Sequence, residues 1–206
     1  AVLVLGFVAG GCGSDGEPAA GLDGAALLAA AAVAMEDVES ARFEMERSGA
    51  IVTVQGLTFD GAVGEYGAPD SARAILRMRA GDLAVELGTI SIGARTWLTN
   101  PISGAWEELE SGTGFNPAML FDPEQGWTPL LTTDISAVEV AGGDDDVHIV
   151  TGTVAPGRIE VLTAGVAAAQ SVQMEIRVDR ETSLLRRLDF VTEGSEGESN
   201  WVIRLS

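Results

Sequence analysis

The stretch Phe115-Asn-Pro-Ala-Met-Leu-Phe-Asp-Pro-Glu-Gln-Gly-Trp-Thr-Pro-Leu-Leu131 decides how this chain is read. Three prolines break it too often for one long helix, and Asn116-Pro117 and Asp122-Pro123 each predict a helix start with proline at the first position. Two short helices or turns follow. Their apolar residues, Met119, Leu120 and Phe121 and then Trp127, Leu130 and Leu131, need a surface to cover, and strand-like alternation stands on either side. On the residues alone two readings are open: a lid over an ordinary core, or a flap over a cavity.

Upstream, Asp23 reads as the N-cap of a helix running to about Val38, with Leu27, Leu28, Ala31, Met35 and Val38 on one face. Alternation then begins at Arg42 to Arg47, with Phe43 and Met45 inward and the charges outward. A strand pair is expected over Thr58 to Tyr66 and Ala72 to Arg79, where Ala74, Leu76 and Met78 alternate with Arg73, Arg77 and Arg79. Leu83, Val85 and Leu87 continue that pattern, followed by Ile90, Ile92, Trp97 and Leu98, with turns expected at Gly88, Gly93 and Asn100-Pro101 and a short strand at Ala105 to Leu109.

Downstream, strands are expected near Ile135 to Val140 and Val147 to Thr153, joined by a Gly142 to Asp146 turn. A helix follows over about Pro156 to Ala169, with Ile159, Leu162, Val166 and Ala169 on one side, and then three strands built around Met174 and Ile176, Leu188 and Phe190, and Trp201 and Ile203. The sum is an α+β chain: an antiparallel meander with one wet and one apolar face, crossed by a few helices.

A chain of 206 residues with no internal repeat suits one large domain. Its net charge of −19 argues against nucleic acid as a partner and against electrostatic adhesion to an anionic bilayer. All 12 basic residues are arginine. The start, Ala-Val-Leu-Val-Leu-Gly-Phe-Val-Ala-Gly-Gly-Cys12, reads as the end of a secretory apolar region whose charged leader is missing, and eleven residues before Cys12 fall short of the roughly 20 that a transmembrane helix needs. Residues 1–12 are thus a signal remnant, 13–22 a flexible tether and 23–206 the folded domain. Cys12 has no partner for an internal disulfide.

Catalysis finds little footing. His148 is the only histidine and sits in an alternating strand, and neither Gly-x-Ser-x-Gly nor His-Glu-x-x-His occurs. Asp144 to Asp146 read as a solvated hairpin turn, lacking the spaced ligands of a calcium loop. The chain is therefore expected not to be an enzyme and to need neither cofactor nor metal.

Gly10-Gly11-Cys12 resembles the lipobox of bacterial lipoproteins, with Ala9 where leucine is usual. After it come the alanine-rich helix ending Ala-Met-Glu-Asp-Val-Glu-Ser-Ala-Arg-Phe43, Thr96-Trp97-Leu98, Gly-Ala-Trp-Glu-Glu-Leu109, the Pro117 to Leu131 stretch and Ile149 to Val154. In that order these segments resemble the LppX/LprA/LprF/LprG lipoproteins of actinobacterial envelopes over about residues 23 to 206. The resemblance implies a LolA/LolB-like fold, a curved antiparallel half-barrel whose concave face is covered by helices over an apolar cavity. It implies an envelope lipoprotein, anchored through acylated Cys12 to the outer face of the plasma membrane. The ligand implied is an acylated lipid or glycolipid carried between membranes, with a monomeric carrier and a transporter as a further partner. The lining expected is Phe43, Met45, Leu76, Met78, Leu83, Val85, Leu87, Leu98, Met119, Leu120, Trp127, Leu131, Ile159, Leu162, Met174 and Ile176. The alternative from another class is an envelope sensor, since the same half-barrel resembles a domain that binds a lipid or lipoprotein to regulate a protein partner.

Overall fold

The computed structural model describes residues 21–54, 56–110 and 116–206. Helix α1 spans Gly24–Glu36, and the Asp23 side chain accepts from the Ala25 N–H as its cap. Its buried residues are Gly24, Leu28, Ala31, Ala32 and Met35, so small side chains let the helix lie close to what it covers. Then come β1 (Ser40–Gly49), β2 (Thr53–Val54), β3 (Leu57–Gly67), β4 (Ser71–Ala80), β5 (Leu83–Ile92), β6 (Arg95–Thr99) and β7 (Trp106–Glu108). A 3-10 helix, Pro117–Phe121, and α2, Trp127–Thr132, occupy the proline-broken stretch. The chain finishes with β8 (Ile135–Gly143), β9 (Val147–Val154), α3 (Pro156–Leu162), β10 (Val172–Asp179), β11 (Leu185–Gly194) and β12 (Gly197–Leu205).

All the strands form one antiparallel sheet in the order β7-β6-β5-β4-β3-β1-β12-β11-β10-β9-β8, with β2 paired to β3 beside it. The middle join, β1 with β12, brings the two ends of the domain together and pairs Met45 with Ile203. Every other join in that path links strands consecutive in sequence apart from β1 with β3, between which β2 branches off, so the sheet is a meander closed through its centre. Register shifts at Phe59/Gly61, Arg177/Val178 and twice along β8–β9 add local twist and bend.

Several expectations needed correction. Gly88 is not a turn: it lies within β5, because a glycine is what lets the Trp106 ring rest on the sheet, and a Cβ there would stand 2.9 Å from Trp106 Cη2. Arg47 points inward, not outward. It shares the parity of Phe43 and Met45, is buried, and donates to the carbonyls of Phe59 and Ala50 and to Ser199 Oγ. The last helix ends at Leu162, seven residues early. Thr163 Oγ1 donates to the Ile159 carbonyl and accepts from the Ala167 N–H, while Ala164 and Gly165 take positive φ of 53° and 75° and turn the chain away. Ala169 is accordingly exposed.

Candidate functional site

Strand alternation sorts each side chain onto one of two faces. On the first, Phe43, Met45, Ala62, Ala74, Leu76, Met78 and Leu87 join Met174, Ile176, Leu188, Phe190, Trp201 and Ile203 in one buried cluster with Leu28, Ala31 and Met35 of α1, Leu120, Trp127, Leu130 and Leu131 of the lid, and Ile159 and Leu162 of α3. Toward one end of this covered face the chemistry changes. Thr89, Ser91 and Thr96 are buried there, and Ser91 Oγ lies 3.3 Å from Thr96 Oγ1.

The lid is assembled from separate pieces. Asn116 caps the 3-10 helix by accepting from the Ala118 N–H at 3.0 Å. Asp122-Pro123 does not start the second helix. The Asp122 carboxylate instead accepts from the N–H groups of Glu124 and Gln125 at 2.8 and 2.9 Å, which makes a turn and delays α2 to Trp127. Gly126 is required at that turn, since a Cβ would meet the Leu120 carbonyl oxygen at 2.1 Å. Phe121 stacks on Tyr66 of β3 with ring centroids 4.0 Å apart, and Trp127 meets Phe121 edge-on at 6.0 Å. Burial, and then the Asp70 carboxylate, raise the Tyr66 hydroxyl's pKa, and that hydroxyl donates to the Pro69 carbonyl. Arg158 of α3 fastens the other side, paired with Asp134 and donating to the Gln125 carbonyl. Thr128 donates to Glu36 of α1.

Among the described residues two buried side-chain polar atoms have no partner, Nδ1 of His148 on β9 and one atom in the lid. The indole Nε1 of Trp127 is buried, and no described group accepts its proton. Tyr66 and Arg158 were not singled out from sequence. A lone tyrosine at a strand end carries no periodic signal, and Arg158 acts through loops distant in sequence.

Of the sixteen residues expected to line a cavity, Phe43, Met45, Leu76, Met78, Leu87, Leu120, Trp127, Leu131, Ile159, Leu162, Met174 and Ile176 are buried in the one cluster. Val85 and Leu98 pack against it half-buried, and Met119 is also half-buried. Leu83 stands apart at 68% exposure, because it is the first residue of β5 beside the Gly81-Asp82 turn, where the sheet runs out into solvent. Phe115 and Cys12 lie outside the described residues. His148 is half-buried, and burial first, then Arg180, lower its pKa. The Asp144 carboxylate accepts from the N–H groups of Asp146 and Val147, which makes it a turn-former. No helix among the described residues is long and apolar enough to cross a membrane.

Among the described residues no helix packs on the second face. A trough of about 1290 Å³ runs across it, lined by side chains from β1, β3, β4, β5, β10, β11 and β12, by Trp106 of β7 and by the β8–β9 turn. A strongly twisted sheet is saddle-shaped, which lets a face opposite packed helices also be hollow along another diagonal.

Residues 23–206 match the family model described as LppX_LprAFG lipoprotein. The chain belongs to this lipoprotein family. LprF from Mycobacterium bovis is similar in structure at 12% identity, with a TM-score of 0.65 over 89% of this chain and 91% of its own. The lipoprotein LppX from Mycobacterium tuberculosis is similar at 15% identity, with a TM-score of 0.59 over 88% of this chain and 93% of its own. The open antiparallel sheet, with three α-helices among the described residues, is thus a fold shared with the LprF and LppX structures. No curated protein matches the sequence.

Proposed function

We propose that this protein binds an acylated lipid or glycolipid between its sheet and its helical lid and carries it between membranes of the cell envelope. Family membership supports a lipid-associated role, since the family is one of lipoproteins. The observation that carries the site is Trp127. Its N–H is buried against the sheet without an acceptor, a costly state that an ester carbonyl of an entering acyl chain would relieve. The twelve buried lining residues fill the layer in its closed form, so loading requires the 3-10 helix and α2 to lift on the Asp122–Gly126 turn.

Burying an acyl chain gains roughly 0.8 kcal/mol per methylene relative to water, and a bilayer offers about the same. The site therefore makes extraction feasible without giving it direction. Direction comes from a donor, an acceptor or a transporter that binds the open and closed forms unequally. Acylation of Cys12 would hold a monomeric carrier on the outer face of the plasma membrane through residues 13–22, with no basic patch needed.

Native mass spectrometry of protein beginning at Gly13, with extraction of what travels with it, tests the binding. Diacyl or triacyl lipid at near one-to-one ratio is expected, and an apo mass unchanged by incubation with lipid vesicles would overturn the reading. Lid movement is tested separately with cysteines at Ala72 and Ala118, which belong to one packed cluster joining sheet and lid. Oxidation should slow lipid uptake and reduction restore it; equal rates would reject a moving lid.

A further inference from the structure

The helix-free face holds a second pattern, visible when the strand registers are read across the sheet. Trp106 rests on Gly88, and Gly88 of β5 is opposite Ile75 of β4, which is opposite Val63 of β3. Val63 is opposite Glu44 of β1, and Glu44 is opposite Arg204 of β12. Arg204 is opposite Arg187 of β11, and Arg187 is opposite Arg177 of β10. One row therefore runs from an apolar half, in which Ile75 is 44% and Trp106 49% exposed, into three arginines on adjacent strands.

Like charges set directly across neighbouring strands are unfavourable unless something compensates them. Carboxylates do so in part. Arg187 pairs with Asp189, Arg177 with Glu175, and Arg204 with Glu46 and Glu44. In the Arg177 and Arg187 pairs the carboxylate takes the Nε and Nη2 donors, and no described group accepts from Nη1. An ion-pair ladder built only to hold the sheet would alternate its charges across strands. This one sets three arginines side by side in one row, sets Glu175 and Asp189 side by side in the next, and leaves guanidinium donors over. Six of the 12 arginines line the trough, together with five carboxylates, Glu44, Glu65, Glu86, Asp144 and Asp146, so its walls are near charge balance in a protein of net charge −19.

We infer that this trough is a second ligand site, for a single-chain anionic amphiphile whose carboxylate or phosphate head sits on Arg177, Arg187 and Arg204 and whose acyl chain lies over Ile75 toward Trp106. The dimensions suit such a molecule. Four strand spacings separate Gly88 from Arg204, roughly 19 Å at about 4.8 Å each, a span on the scale of a long extended acyl chain. A free fatty acid and a lysophospholipid share the required chemistry. A neutral diacyl or triacyl lipid does not, so the two faces would take different ligands.

Palmitate, with hexadecanol as its uncharged counterpart, is the probe, titrated into the protein beginning at Gly13 with the Ala72/Ala118 cysteine pair oxidised and again reduced. Palmitate should bind in both states, about tenfold tighter than hexadecanol, and more weakly as salt rises. Ile75→Glu, at a position already half open to solvent, and Arg187→Gln should each lower palmitate affinity about tenfold or more while leaving co-purified diacyl lipid in place. Lysophosphatidylglycerol in place of palmitate tells a preference for phosphate from one for carboxylate, and either preference fits the site. Palmitate binding that oxidation abolishes and Ile75→Glu leaves alone would put the ligand under the lid, overturning this inference while keeping the proposed carrier. Equal affinity for hexadecanol, or no binding of palmitate, would overturn it as well.

Discussion

The two faces of the sheet are made by the same strands and differ only in parity. On β1, Phe43, Met45 and Arg47 face the helices, while Arg42, Glu44 and Glu46 face the open side, where Arg42 and Glu44 line the trough. The covered face is stabilised by close packing with little regard to solution conditions, and even its buried Arg47 is wrapped by protein acceptors. The open face is stabilised by exposed ion pairs, each worth little, which leaves it free to evolve toward a ligand without unfolding the domain. One side of the sheet holds the fold together. The other can be rewritten.

Neighbouring residues on β1 give the largest contrast. Met45 is 1% exposed at the centre of the cluster, so Met45→Ala should cost about 2–5 kcal/mol in chemical denaturation. Glu46, one residue on, pairs with Arg204 in solvent, and Glu46→Ala should cost less than about 1 kcal/mol. Comparable losses at the two positions would mean that the open face is structural and not spare.

Parity also explains what was legible in the sequence. Phe43/Met45, Ala74/Leu76/Met78 and the last three strands announced their inward faces plainly, because a period of two between apolar and charged residues has few other readings. β5 hid its logic. Leu83, Val85 and Leu87 keep one phase, and after Gly88 the large apolar residues switch to Ile90 and Ile92, while Thr89 and Ser91 take the buried positions. Two amphipathic faces share that strand, and Ile92, 55% exposed, belongs to the outer one. The lid's existence was readable from its prolines. Its fastening was not, since the Tyr66–Phe121 stack and the Arg158 bonds depend on which loops meet in space. The trough was out of reach for the same reason: Arg177, Arg187 and Arg204 form a row only once the register of β10, β11 and β12 is known.

Two glycines sharpen the comparison at intermediate size. Gly64 faces inward, and a Cβ there would stand 2.3 Å from Phe43 Cζ and 2.5 Å from the Arg73 carbonyl oxygen, with backbone on one side and a packed ring on the other. Gly64→Ala should therefore cost about 1–3 kcal/mol. Gly88 faces outward, where the only comparably close atom is the tip of the Trp106 ring at 2.9 Å. That ring is half exposed and can slide, so Gly88→Ala should cost less than about 1 kcal/mol and shift Trp106 fluorescence. A costly Gly88→Ala would show that Trp106 is clamped, and an apolar wall clamped in place would be a poor bed for a ligand.

The smallest effect separates the faces by pH. Asp179, at the end of β10, accepts from the N–H and hydroxyl of Thr182, both at 2.8 Å, and from Arg186, which lines the trough. Those donors, Thr182 first and Arg186 after, hold its carboxyl far below the ordinary aspartate range. Because the folded pKa lies below the unfolded one, the carboxylate adds stability above the unfolded value near 3.9, and that stability is lost as pH falls through the folded value. Asp179→Asn should thus be less stable than the parent at pH 7, by about 1 kcal/mol, and the gap should close on acidification. Met45→Ala should show a gap that stays nearly constant over the same range, since no proton is exchanged in a methionine core. If the Asp179→Asn gap were equally flat, the ion pairs of the open face would not answer to their own charges. An anionic head group would then have little to gain from the arginines beside them.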